Sequence, residues 1–156
     1  IVSYGGNLYL LDTGASRIWK YVATDSGFSK LSEYLNPDTF IDFSQGTSMA
    51  IDATIWVGMS DGKILRFVSG RQDTFTPQGV EPAFTGSLVV YTSDEAKNLY
   101  VLDSTNKRVV ILDKDGVYLG QYVWQGNLAP TQLMVSESQK KILLLASGKL
   151  YSLDLK

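Results

Sequence analysis

The chain has 156 residues, 44% apolar and 19% charged, with a formal net charge of −2 and a pI near 5.0. This is a globular composition, and no apolar run approaches the ~20 residues of a membrane-spanning helix. It offers no basic footprint for nucleic acid, no cysteine for disulfides or thiolate sites, and no histidine, the commonest general base and transition-metal ligand.

Val2–Tyr4 reads as a short inner strand. Asn7–Asp12 and Arg17–Tyr21 read as a hairpin across Thr13-Gly-Ala-Ser16, because such turn residues tolerate the backbone that tight hairpins demand. Ser29–Leu35 follows as an outer strand. The pattern returns as inner Thr47–Asp52, the hairpin Thr54–Met59 and Lys63–Phe67 across Ser60-Asp-Gly62, and outer Asp73–Thr76. A third copy comprises Gly86–Tyr91, Asn98–Asp103, Arg108–Leu112 and Val117–Val123. The fourth comprises Thr131–Ser136, Lys141–Ala146 and Lys149–Leu153, and stops without an outer strand.

The step between hairpins is about 43 to 47 residues, the length of a four-stranded propeller blade. Leu8 and Leu10 point to one side of their strand and Tyr9 and Leu11 to the other, so both faces are apolar. A sheet with one wet face would alternate polar and apolar residues; a blade has a neighbour on each side. The sequence therefore predicts an all-β fold, a β-propeller of four-stranded antiparallel blades. About four blades are expected, in repeats 1–40, 41–80, 81–127 and 128–156 of a single domain or part of one.

About fifteen strands are expected where four whole blades need about sixteen. Three closures fit: a small self-closed ring whose N-terminal strand completes the last blade, a ring completed by two copies, or a ring with further blades upstream. Unpaired edges and apolar faces on the last blade drive association, which favours a partner, and a homodimer in particular. The first residue is Ile1 rather than methionine, so a processed or longer parent chain is expected.

The stretch Asn98–Leu119 resembles an NHL repeat: a Tyr-Val-x-Asp strand, a turn with Asn and Arg-Val, then Asp-x-x-Gly. Thr54–Phe67 resembles the propeller repeat of bacterial two-component sensor ectodomains, and Lys149–Asp154 is similar to PQQ-type repeats. These resemblances imply a non-catalytic binding or scaffolding module for a protein or other ligand, often extracytoplasmic in bacteria. The alternative they allow is a calcium-dependent propeller hydrolase or lyase, with Glu, Asn and Asp at its metal.

No catalytic, cofactor or metal residue is assigned from the sequence. Asp113-Lys-Asp115-Gly116 has the start of a calcium loop but lacks the later ligands, and reads as a turn. Asp12, Asp25, Asp61, Asp94 and Asp103 fall in or beside turns; Glu33, Glu81 and Glu137 share no spacing. Tyr9, Trp19, Trp56 and Tyr100 read as blade-packing aromatics. Trp124, beyond the third outer strand, is the candidate binding-surface aromatic, with an inter-blade staple as the alternative.

Overall fold

The computed structural model describes residues 1–156, and all its regular elements are β-strands. The first blade is β1 (Val2–Tyr4), β2 (Asn7–Asp12) and β3 (Arg17–Tyr21). A small hairpin of β4 (Ala23–Thr24) and β5 (Gly27–Phe28) precedes its outer strand β6 (Ser32–Glu33). The second blade is β7 (Gly46–Ile51), β8 (Ile55–Met59), β9 (Ile64–Val68) and β10 (Arg71–Asp73). The third is β11 (Leu88–Tyr91), β12 (Leu99–Asp103), β13 (Arg108–Leu112) and β14 (Tyr118–Val123). The fourth has three strands, β15 (Gln132–Ser136), β16 (Lys141–Ala146) and β17 (Lys149–Asp154). Every blade is an antiparallel meander from inside to outside, and the four pack in chain order as a β-propeller arc through their inner strands.

Side-chain alternation gives each blade two unlike faces. The equivalent residue of each second strand (Tyr9, Trp56, Tyr100) points forward to the next blade. The residues on either side of that position (Ile55 and Val57, Leu99 and Val101, Ile142 and Leu144) point back to the preceding one. Three joint cores result. Tyr9 and Ile18 meet Ile55, Val57 and Phe67; Trp56 and Ile64 meet Leu99, Val101 and Leu112; Tyr100, Leu102 and Val109 meet Ile142 and Leu144. Each such side chain is buried and contributes ~1.5–3 kcal/mol relative to exposure, the main force holding blade to blade.

The outer strands depart most from the sequence reading. In the first blade Ser29–Leu35 pairs only over Ser32–Glu33, because Asp25-Ser-Gly27 turns the chain early, with Gly27 at φ +131°, into the β4–β5 hairpin. In the second blade the outer strand is Arg71–Asp73 rather than Asp73–Thr76. Ser69 and Gly70 both have positive φ and return the chain at once, pairing Arg71 with Val68. The blades contain fifteen strands, and the β4–β5 pair is additional.

Candidate functional site

Each inner strand turns one free edge toward the axis, and the four together form the wall of an open trough of about 830 Å³. Its polar side chains are hydroxyls and amides, among them Ser3, Thr47, Ser93, Thr131 and Gln132, and Asp94 is its one charged side chain. Between the second and third blades the wall is stitched shut. The Ser48 hydroxyl donates to Leu88 O (3.1 Å) and accepts from Val90 N–H (2.9 Å), while Thr47 donates to Leu88 O (2.6 Å).

The arc has two ends, and they differ. At the first blade the backward face has no blade against it; Leu8 and Leu10 of β2 and Trp19 and Tyr21 of β3 lie on it, half-buried by their own sheet. Around them Arg17 pairs with Glu33, and Asp12 accepts from Trp19 Nε1–H (3.1 Å) and Ala15 N–H (2.9 Å). The Ala15 amide, then the Trp19 indole, hold the Asp12 carboxyl below its ordinary pKa. At the fourth blade the forward face is bare. Met134 is 55% and Leu150 67% exposed, with Leu143 and Leu145 between them and a Lys141–Asp154 ion pair on the rim.

The third blade shows what a backward face looks like once covered. Asp103 and Arg108 occupy the positions of Asp12 and Arg17, with the same spacing, and are 0% and 1% exposed. Arg108 Nε donates to Asp103 Oδ2 (2.9 Å), and the guanidinium also reaches the Glu81 and Pro82 carbonyls of the preceding connector and lies 5.5 Å over Phe84. The cation is therefore held by an ion pair, two carbonyls and a ring. A second polar cluster sits between blades two and three, where Asp52 accepts from Trp56 Nε1–H (3.0 Å), Thr92 (3.2 Å) and Lys114.

The residues singled out from the sequence are dispersed. Trp124 is half-buried: its indole N–H donates to Leu128 O (3.0 Å) and its ring packs at the joint of blades three and four. Asp113 Oδ1 accepts the amides of Asp115 (2.9 Å) and Val117 (2.8 Å), closing a turn. Glu137 accepts from Lys97 N–H (3.0 Å) and Tyr100 O–H (2.9 Å); Asp61 pairs with Lys63; Asp25 and Glu81 are exposed. No three carboxylates converge as a metal-ligating group. Sequence reasoning missed Phe40, which is 89% exposed in the connector after the first blade, beside the Asp38–Arg71 ion pair. Its only signal was an aromatic next to Pro37-Asp38-Thr39, outside every strand.

No family model and no curated protein sequence matches the chain. Solved structures do match in fold. One is a nidogen/laminin complex, at 15% identity and a TM-score of 0.67, covering 96% of this chain and 57% of that one. A catalytically inactive virginiamycin B lyase from Staphylococcus aureus, with quinupristin, matches at 17% identity and a TM-score of 0.59, covering 97% and 53%. A streptogramin B lyase matches at 16% identity and a TM-score of 0.60, covering 99% and 53%. The chain thus spans just over half the length of the structures it matches, and what the likeness shows is the propeller fold.

Proposed function

We propose that the chain is a non-catalytic binding module that completes its ring with a second copy of itself and then holds a protein or other ligand on its loop faces. The observation that carries this is the pair of unlike, uncovered end faces. One is backward, with Leu8, Leu10, Trp19 and Tyr21; the other is forward, with Met134, Leu143, Leu145 and Leu150. All three internal joints are made by a forward face meeting a backward face, so the two ends are complementary by the rule that builds the rest of the arc. Asp12 and Arg17 add a second indication, since they repeat the pair that is buried at the joint of blades two and three.

Two four-bladed arcs make eight blades, within the four to eight that propellers use. A two-fold ring of this kind leaves no blade face uncovered. The non-catalytic part of the reading rests on the use of the carboxylates: Asp103, Asp113 and Glu137 hold turns and joints, while Asp61 and Glu33 hold surface ion pairs. The nidogen/laminin complex is a protein–protein complex on the same fold, which is consistent with a binding role here.

The test is the solution mass by light scattering coupled to size exclusion. A mass of twice 17.2 kDa, reduced to 17.2 kDa by Leu143→Lys with Leu150→Lys, is the expected result. A monodisperse monomer at micromolar concentration would sink the ring reading.

A further inference from the structure

The outer edges of the first three blades face solvent, and they are unlike. β6 has two residues and β10 three, and they carry Glu33, Arg71 and Asp73. Shortness and charge are the devices that keep a strand edge from pairing with another chain. β14 has neither. It is six residues long, and the stretch Val117–Trp124 contains no charged residue and no proline. Its side chains alternate: Leu119 is 53% and Val123 63% exposed, with Gln121 exposed between them, while Tyr118 and Tyr122 are half-buried.

Hydrogen bonding shows which part of this edge is open. Trp124 N–H bonds inward to Lys107 O (3.1 Å), and bonded residues alternate along an antiparallel ladder. Tyr122 and Gly120 therefore bond inward to Val109 and Ile111, and the amides and carbonyls of Gln121 and Val123 point outward. The start of the strand is already taken. Gln78 lies outside it, donating to Gly116 O (2.8 Å) and accepting from Tyr118 N–H (3.0 Å). After Val123 the chain leaves the blade, where Trp124 bonds to Leu128 O. The open edge is thus Leu119–Val123, and its middle residue is Gln121.

We propose that two copies of the chain pair edge to edge along β14, antiparallel, about a two-fold axis at Gln121. The edge is self-complementary in that register. Each Gln121 N–H donates to the partner's Gln121 carbonyl, and Leu119 lies opposite the partner's Val123, so the most exposed apolar residues of the strand cover each other. On the other side the partner's Tyr122 faces Gly120, where an added Cβ would meet nothing within 4 Å. An aromatic across from an edge glycine fills such a gap. No like charges meet, and a two-fold contact closes on itself. The contact uses the rim of the arc rather than its end faces, so it does not rest on ring completion. Five residues of edge make a small contact, so the pair is transient and a mass measured at micromolar concentration does not record it.

The chain has no cysteine, so single cysteines report the pairing as disulfides on a non-reducing denaturing gel. In this register facing Cα atoms lie about 5.5 Å apart, within the span of a disulfide, whereas Leu119 lies about 13 Å along the strand from the partner's Leu119. On mild oxidation Gln121→Cys should cross-link with itself, and Leu119→Cys with Val123→Cys in a mixture, each roughly tenfold or more faster than Gln72→Cys on the β10 edge. Leu119→Cys alone and Val123→Cys alone should be as slow as that control. The mixed pair leaves the bond from Arg108 to Gln121 in place, so it reads the register without touching the joint of blades two and three. Equal rates for all the variants, or self-linking of Leu119→Cys as fast as the mixture, overturns the proposal. The subunits of a ring separate on a denaturing gel, and Leu143→Lys with Leu150→Lys should leave the pattern unchanged. Failure of the ring reading therefore shows in the solution mass alone.

Discussion

Asp103 and Arg108 carry opposite charges into a fully dry joint, where each depends on the other. Removing one member of such a pair strands a charge, which costs about 3–5 kcal/mol. Asp103→Ala should therefore lower the stability by that amount in urea unfolding, while Lys63→Ala, at the exposed pair with Asp61, should change it by ~1 kcal/mol at most. Tyr100 offers a pH-dependent companion. Burial, then its hydrogen bond to Glu137, raises the Tyr100 pKa above the ordinary ~10, and burial raises that of Tyr34. Protonated tyrosine is the form the fold prefers, so this stability is whole below pH ~10 and is lost as pH rises above it toward the folded-state pKa. Tyr100→Phe should flatten the decline in unfolding midpoint between pH 9.5 and 11, measured by fluorescence at constant salt, within the ~1.5-unit span around the ordinary tyrosine pKa. The spacing of Asp103 and Arg108 across their hairpin is visible in the sequence, and so is its repetition in Asp12 and Arg17. Burial is not visible there, because it is produced by the Glu81 and Pro82 carbonyls of a connector more than twenty residues away in sequence.

Gly58 shows how an element answers to its neighbour. In the other blades its position is Leu11, Leu102 or Leu145, so the repeat calls for a large apolar residue. Here a Cβ would lie 2.6 Å from Leu88 O and 2.7 Å from Ser48 Oγ, inside the stitch between the second and third blades. Gly58→Ala should cost about 1–3 kcal/mol by overpacking, read as a lowered thermal midpoint, although the substitution only moves toward the repeat's apolar pattern. Middle strands were legible from the sequence for a related reason: both their faces are covered, so they are apolar throughout and their turns stand out. The outer strands of the first two blades were not, while that of the third, Tyr118–Val123, was read to within a residue. Ser32–Glu33 and Arg71–Asp73 carry little apolar signal, and their positions are set by turns such as Ser69-Gly70 rather than by packing. Trp124 lies just beyond the third outer strand, and the Leu128 carbonyl that receives its indole N–H comes from the connector, which follows no repeat.

Over the whole molecule, the repeat announced the propeller, the number of blades and the missing outer strand, because these follow from period and count. It did not announce the character of the two ends, which depends on which parity of residues faces which neighbour. That parity yields a further prediction. Tyr21→Lys at the first blade should abolish ring completion as Leu143→Lys does at the fourth, each shown by a halved mass, with the far-ultraviolet spectrum unchanged. Both residues lie on open faces, so neither substitution enters an internal joint.

Because forward and backward faces differ, the arc has a direction, and in the proposed ring two copies meet at two separate joints. The first joint forms between molecules; the second then forms within one complex, at an effective concentration in the millimolar range for closely held partners. Such a ring opens only when both joints are open together, so exchange of subunits should be far slower than the strength of one joint implies. Mixing a Tyr21→Lys chain with a Leu143→Lys chain leaves one sound joint per pair. That pair should form and separate quickly, and fluorescence exchange between differently labelled chains would register the contrast with the native ring.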